Sequence, residues 1–139
     1  MEITRRIADY VVSTQLEDFP PDGIQAAKGA IMDCLGCALA GSREPLADIL
    51  SEFVQANGGG TSASVIGRGF KTSAADAAQV NGAISHALDY DDTQISSLPD
   101  RVYGLLTHPT TPVLAAALPV AEETGAGPGA ADRLLRRDR

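Results

Sequence analysis

Apolar side chains recur three or four positions apart over five stretches of the chain, and this spacing predicts amphipathic α-helices. The first is marked by an apolar face made of Ile3, Ile7, Tyr10 and Val11. Pro21 suits the first turn of a second helix, and Gly41 suits its end. The other three are predicted in "EPLADILSEFVQA", "TSAADAAQVNGAISHALDYDD" and "TTPVLAAALPVAEETG". The pattern therefore predicts a mainly α fold that resembles a helical bundle.

A short β element is predicted near residues 62–70, "SASVIGRGF", which places β-branched residues between glycines. It is expected to form a strand or one arm of a hairpin. The overlapping "GRGFKTS" is similar to a phosphate-binding loop, but Phe70 stands where that motif requires Gly. A turn is the preferred interpretation.

Composition supports one globular domain with a helical core. The chain has 139 residues, 44% of them apolar, but only 4% aromatic and no Trp. Its core must therefore be built from Ala, Leu, Ile and Val, which favours closely packed helices. A length of this order corresponds to a single domain.

The charge is strongly acidic, with a net value of −7. This balance argues against nucleic acid or an anionic membrane as a partner, because phosphate binding needs concentrated cations. No apolar stretch reaches the ~20 residues that a membrane-spanning helix needs, and no apolar segment of a signal peptide follows the first arginines. We therefore expect a cytoplasmic protein.

The last fifteen residues differ from the rest. Residues 1–124 hold 7 Lys or Arg and 16 Asp or Glu, whereas residues 125–139 hold 4 Arg and 2 Asp. The arginines of "GAGPGAADRLLRRDR" mark no apolar face. We divide the chain into a partial helical domain, 1–124, and an aberrant or disordered tail, 125–139. Such a tail is expected from a shifted reading frame or truncation, or from a basic disordered segment.

The segment "HALDYDDT", residues 86–93, concentrates the candidate chemistry. Its D-x-D-x-T pattern is found in phosphatases whose own first Asp is the nucleophile and becomes phosphorylated. In this chain that residue would be Asp89. That mechanism needs the acids on a loop that leaves a buried strand. The preceding residues instead keep helical spacing, which argues against a phosphatase.

A metal site is a second interpretation of the same segment. His86, Asp89, Asp91 and Asp92 include plausible ligands of Mg²⁺ or Zn²⁺. Neighbouring acids on a helix diverge, however, and neither EF-hand spacing nor an H-x₃-H pair is present. We predict no metal and prefer a solvated acidic helix end. Carboxylates at a helix C-terminus interact unfavourably with the negative end of the helix dipole, which suggests that they have a functional role.

Helical geometry gives the third interpretation. His86, Asp89 and Thr93 share one face of a continuous helix, and Gln79 lies seven residues before His86. A carboxylate beside a hydroxyl is a usable general base and ligand-orienting pair. Asp91 and Asp92 would point elsewhere and could tie down the loop or a neighbouring helix.

Two further motifs, a His-Pro step and a C-x-x-C, contain candidate functional residues. His108 precedes Pro109 at the start of the last helix, where an imidazole and helix N–H groups could meet an anion; a solvent-exposed loop histidine is the alternative. Cys34 and Cys37 form a C-x-x-C within a helix rather than at its start, and no second pair of cysteines exists for zinc. Packing is their predicted role.

Together these motifs resemble the N-terminal part of the MmgE/PrpD family, which includes 2-methylcitrate dehydratase, cis-aconitate decarboxylase and iminodisuccinate epimerase. The resemblance is carried by "AKGAIMDCLGCALAGS", "ASVIGRGFKTSAADAAQVNGAISHALDYDDT" and "THPTTPVLAAALPVAEETGA". They follow the family's order and extend the match to about residue 126. The series "NG…HALDYDDT…HP" is its specific part.

The resemblance implies a helical domain that belongs with a second, lid-like domain and forms a homodimer. It also implies an active site for small di- and tricarboxylates without cofactor or metal. Asp89 would transfer a proton or orient the substrate, Thr93 would hydrogen-bond to it, and His108 would donate to its carboxylate. His86 and Gln79 are additional candidates for substrate binding.

Two functions follow as expectations. Family members are longer than this chain, and the later His, Lys and Tyr of their sites have no counterpart here. The first expectation is therefore an N-terminal fragment of a dehydratase, decarboxylase or epimerase that is inactive alone. The alternative is a non-catalytic helical module that dimerises or binds a partner.

Overall fold

The computed structural model describes residues 2–94 and 107–126, and this part of the chain is mainly helical, as predicted. The elements in chain order are helix α1 (Glu2–Ser13), a single 3₁₀ turn (Leu16–Asp18), helices α2 (Pro21–Gly41) and α3 (Pro45–Ala56), strands β1 (Ala63–Ser64) and β2 (Lys71–Thr72), and helices α4 (Ala74–His86) and α5 (Thr110–Thr124). Residues 95–106 and the tail from residue 127 lie outside the described residues. The proposed boundary at residue 124 therefore stays a prediction.

The helix starts follow local sequence signals. Pro21 and Pro45 occupy the first positions of α2 and α3, where the missing N–H has no intrahelical partner to lose. Ser73 caps α4: its Oγ accepts a hydrogen bond from the backbone N–H of Asp76 at 3.1 Å and donates to the Asp76 carboxylate at 2.8 Å. The hydrogen bond from the first turn to Ser73 fixes where α4 begins.

The β element is a small antiparallel hairpin in which Ala63 pairs with Thr72 and Ser64 with Lys71. The prediction near residues 62–70 is confirmed for the first strand, while the second lies just beyond that range. Gly67 and Gly69 adopt positive φ angles of 72° and 70° between the strands. Glycine adopts this conformation without steric cost, so the "GRGF" segment is the turn that the sequence predicted.

Helix α4 is the centre of the fold and packs against α2, α3 and α5. Small residues permit close approach: a Cβ atom added at Gly82 of α4 would lie 3.4 Å from Ala115 of α5. Gly41 at the end of α2 lies against the backbone carbonyl of Ile84. The core consists of buried aliphatic residues, namely Ala38, Ala47, Val54, Ala63, Val65, Ala74, Ala77, Val80 and Ile84.

Two polar side chains, Asn81 and Glu122, join the hairpin to the helices. The Asn81 side chain on α4 accepts a hydrogen bond from the Ile66 N–H at 2.9 Å and donates to the Ser64 carbonyl at 3.0 Å. Glu122 on α5 accepts a hydrogen bond from the Ser64 N–H at 2.6 Å. Asn81 is 1% exposed, so its satisfied amide avoids the cost of an unpaired buried polar group.

Helix α1 has the predicted apolar face but buries none of its residues. Ile3, Ile7, Tyr10 and Val11 are each at least 60% exposed. An exposed apolar face of this kind is typical of a surface that contacts another protein segment. Among the helices in the described ranges, none combines the length and apolar content that crossing a bilayer requires.

Candidate functional site

Helix α4 ends at His86, so the prediction of one helix continuing through Asp92 is wrong. Asp89 adopts φ 55°, the left-handed conformation, which a right-handed helix cannot contain. Its N–H donates to the His86 carbonyl at 3.0 Å and closes a turn. His86, Asp89 and Thr93 therefore do not share a continuous helical face.

The turn nevertheless gathers four titratable side chains, which we call the histidine–aspartate cluster: His86, Asp89, Asp91 and His108. One ligand atom from each lies within 4.8 Å of the ligand atoms of the other three. His86 is the last residue of α4, Asp89 and Asp91 follow it, and His108 lies just before α5. The structure thus brings together three of the five predicted site residues and adds Asp91.

Asp91 is the buried member of the cluster, with its side-chain oxygens withdrawn from solvent. Its Oδ1 lies 2.9 Å from Nδ1 of His86, and its Oδ2 accepts a hydrogen bond from Thr111 Oγ1 at 2.8 Å. Burial alone would raise the pKa of Asp91, but the hydrogen bonds from His86 and Thr111 outweigh it and lower that pKa. The carboxylate is therefore charged at neutral pH.

His108 occupies the position between the two aspartates. Its Nδ1 lies 3.2 Å from Asp91 Oδ2 and 3.3 Å from the Asp91 carbonyl, and its Nε2 lies 3.6 Å from Asp89 Oδ1. The His86 and His108 rings meet edge to face, with centroids 4.5 Å apart. The two imidazoles thus share one buried carboxylate, while Asp89 stays 77% exposed.

Asp92 joins the same segment to the first turn of α5. Its carboxylate accepts hydrogen bonds from the Thr110 N–H at 3.2 Å and from Thr110 Oγ1 at 2.6 Å. Asp91 and Asp92 thus both tie the segment after α4 to α5, through Thr111 and Thr110; the sequence suggested such a role for them. Asp92 serves as an N-terminal cap supplied by another part of the chain.

Replacement of Asp92 by Ala is expected to lower the free energy of unfolding by about 1 kcal/mol, because the first turn of α5 loses its acceptor. Urea unfolding of wild type and variant measures the difference. Asp9→Ala, at an exposed position of α1, is the control and should change stability little. An equal effect of both substitutions would contradict the capping role.

Thr93 and Gln79 lie outside the cluster. The Thr93 side chain is exposed, and its Oγ1 donates to the Asp91 carbonyl at 3.5 Å, so it borders the cluster without joining it. Gln79 is exposed on α4, about 10 Å along the helix axis from His86.

Asp91 was missed as a central residue because a continuous helix would have pointed it away. The accumulation of acids after His86 was the available signal that the helix ends there.

The His86–Asp91 pair should make stability depend on pH. The hydrogen bond between His86 and Asp91 raises the pKa of His86 above 6.5, although burial partly opposes this shift. The pKa of Asp91 is lowered below 3.8. A raised histidine pKa stabilises the fold below pH 6.5, and this contribution is lost as pH rises through the folded value. A lowered aspartate pKa stabilises above pH 3.8 and is lost as pH falls through the folded value.

The free energy of unfolding contributed by the pair is therefore expected to be greatest between about pH 4 and 6.5. Urea unfolding across this range and beyond it checks the curve. In His86→Gln the decline on the alkaline side should become shallower. A wild-type curve that keeps rising above pH 7, with His86→Gln unchanged, would contradict the pairing.

The cluster also contains donor types that divalent cations use, since imidazole nitrogens and carboxylate oxygens are common zinc ligands. In the described residues these donors face one another at hydrogen-bonding distances. The expectation of a site without metal or other cofactor stays a prediction.

Cys34 and Cys37 are free thiols on the α2 face near this segment. Cys34 is buried in contact with Thr111 at 3.7 Å, and burial, reinforced by Asp33 and Asp91, raises the pKa of Cys37. A raised pKa leaves the thiol protonated and unreactive. These features agree with the predicted packing role. An open groove along α2 passes Cys37 and reaches Tyr90, the neighbour of Asp89.

Comparison with known proteins gives one match that covers nearly the whole chain. The model of the MmgE/PrpD N-terminal domain matches residues 5–137, a range that includes the cluster and most of the residues assigned to the tail. Neither the curated proteins nor the solved structures give a match. The resemblance carried by the "HALDYDDT" and "HP" segments is thereby confirmed over the range that contains them. The chain belongs to the MmgE/PrpD family and carries its N-terminal domain.

Proposed function

We propose that the histidine–aspartate cluster forms part of the active site of a lyase or isomerase acting on small di- or tricarboxylates. The reaction would be proton transfer at a carbon next to a carboxylate: abstraction followed by loss of hydroxide or by reprotonation, or protonation of the carbanion that loss of CO₂ leaves. The observation that carries the proposal is the solvent-open pair of Asp89 Oδ1 and His108 Nε2, 3.6 Å apart. A carboxylate beside an imidazole supplies a proton acceptor and a donor at one place.

Asp89 is suited to the proton-transfer or orienting role. It is the most exposed charged member of the cluster, so a substrate can reach it without displacing a core contact. Its left-handed backbone conformation is uncommon for a residue other than glycine, and such conformations concentrate at functional sites. In its charged state, His108 would donate to a substrate carboxylate from Nε2. Thr93 would add a hydrogen bond from the rim, and His86 would border the bound acid.

The charge of the cluster indicates that further groups complete the site. Two carboxylates and two histidines cannot by themselves neutralise a substrate with two or three negative charges. We therefore propose that cations from another domain or from the second subunit of a homodimer contact the substrate. Residues 1–139 alone would then be inactive, because transition-state charge would lack its stabilising partners. The cytoplasm remains the proposed location.

The test is Asp89→Asn in the complete protein that contains this domain, assayed on a panel of citrate-like and succinate-like acids. Removal of a general base or acid is expected to lower kcat/KM by about 100-fold or more. Asp9→Asn on α1 changes the same chemical group at a remote exposed position and should leave kcat/KM unchanged. Full turnover in Asp89→Asn would remove Asp89 from the chemistry.

A non-catalytic binding module is the second candidate, and the exposed apolar face of α1 favours it. In that case the complete protein would turn over none of the acids. Ile7→Asp would instead abolish self-association in analytical ultracentrifugation. Asp89→Asn would leave association unchanged.

A further inference from the structure

We propose that Asp91 is the positioning residue of this site, and that it fixes both histidines in the tautomer with the proton on Nδ1. This inference deepens the proposed function, on which its catalytic consequence rests. Asp91 itself does not meet substrate, because its side chain is fully buried. It acts through the two imidazoles.

The first step is the hydrogen-bonding capacity of Asp91. Oδ1 of Asp91 is hydrogen-bonded to His86 and Oδ2 to Thr111, and the backbone carbonyl of Asp91 is hydrogen-bonded to His108. An ionised carboxylate and a backbone carbonyl only accept hydrogen bonds. Nδ1 of His86 at 2.9 Å and Nδ1 of His108 at 3.3 Å must therefore be the donors.

The second step is what this leaves at the opposite nitrogen. With Nδ1 protonated, a neutral His108 presents a lone pair at Nε2, and a charged His108 presents an N–H there. In both states Nε2 is the atom that faces Asp89 at 3.6 Å and the open side of the cluster. Asp91 thus determines which nitrogen of His108 can exchange a proton with a ligand.

The third step is rigidity. Thr111 lies in the first turn of α5 and is 6% exposed, so its hydroxyl holds Asp91 against a fixed helix. The neighbouring Asp92 is bound to the same turn through Thr110, but none of the described hydrogen bonds joins it to either histidine. The two adjacent carboxylates therefore share a structural environment and differ in their contact with imidazole. This difference provides a matched pair for a test.

The experiment is ¹⁵N NMR of the histidine rings in the 139-residue chain, at a pH where the rings are neutral. Wild type should show mainly the Nδ1–H tautomer for both His86 and His108. Asp91→Asn puts an NH₂ donor beside Nδ1 of His86, so this ring should change to mainly Nε2–H, while the unchanged backbone carbonyl should keep His108 mainly Nδ1–H. Asp92→Asn should keep the wild-type tautomers, although it removes charge from the next residue.

Two results would overturn the inference: mainly Nε2–H rings in wild type, or tautomers in Asp91→Asn that match those in Asp92→Asn. The wild-type spectrum decides the question even if Asp91→Asn does not fold. Thr111→Val, which keeps the carboxylate, should retain Nδ1–H on both rings. In the complete protein, Asp91→Asn should lower kcat/KM by about 100-fold or more. A wild-type protein without turnover would reject the proposed function and leave the tautomer result standing.

Discussion

Ile84→Ala is expected to lower the free energy of unfolding by about 2–5 kcal/mol, because a large buried side chain is replaced by a methyl group in a closely packed core. Ile84 is fully buried on α4, the helix that contacts α2, α3 and α5. Few neighbouring side chains are large enough to fill the space, since most core residues are Ala or Val. Urea unfolding at about pH 6 measures the loss.

The control is Ile49→Ala on α3, which makes the same chemical change at a side chain that is 63% exposed. Its effect should stay within about 0.5 kcal/mol, as is usual for surface substitutions. Similar losses in the two variants would contradict the placement of Ile84 at the centre of the core.

Gly41→Ala is the second substitution with a large expected effect. A Cβ atom there would overlap the Ile84 carbonyl oxygen and lie 3.3 Å from the Ala87 Cβ. Backbone atoms cannot rotate away as a side chain can, so α2 and α4 must separate. We expect a loss of about 1–3 kcal/mol. The displaced end of α4 carries His86, so the NMR signals of both cluster histidines should also change.

Gly36→Ala provides the matched control on the same helix, because nothing lies within 4 Å of the added Cβ. Alanine in a helix interior is favoured over glycine, so this variant should gain about 0.5–1 kcal/mol. The two substitutions should therefore have opposite signs. A stabilising effect at both positions would contradict the close approach of α2 and α4.

The helices could be predicted from sequence because their signals are local. Pro21 at a first turn, Ser73 with Asp76 at a cap and the apolar spacing of α1 each act within a few residues. Local sequence signals of this kind did not predict the residue at which α4 ends. It depends on contacts of Asp91 with His86 and with Thr111, which lies twenty residues later.

The candidate site was predicted in part. The resemblance placed Asp89 and His108 in one site, and the structure brings them within 3.6 Å. The helical face that grouped Asp89 with His86 was wrong in geometry, because a left-handed turn rather than a further helical turn follows His86. Gln79 stayed on the helix, exposed and apart. The central position of Asp91 could not be predicted from local patterns, because it depends on partners that are distant in the sequence.

The central claim is that the histidine–aspartate cluster moves a proton at a carbon next to a carboxylate. Exchange with solvent tests the claim before the final product is known, since dehydration and epimerisation remove that proton and decarboxylation places a solvent proton on the carbanion that CO₂ leaves. The complete protein is incubated in D₂O with each acid of the panel, and ¹H NMR follows the signals next to the carboxylates. We predict loss of one such signal in wild type and its retention in Asp89→Asn. Retention of every signal by a folded wild-type protein, or equal exchange in Asp89→Asn, would contradict the claim.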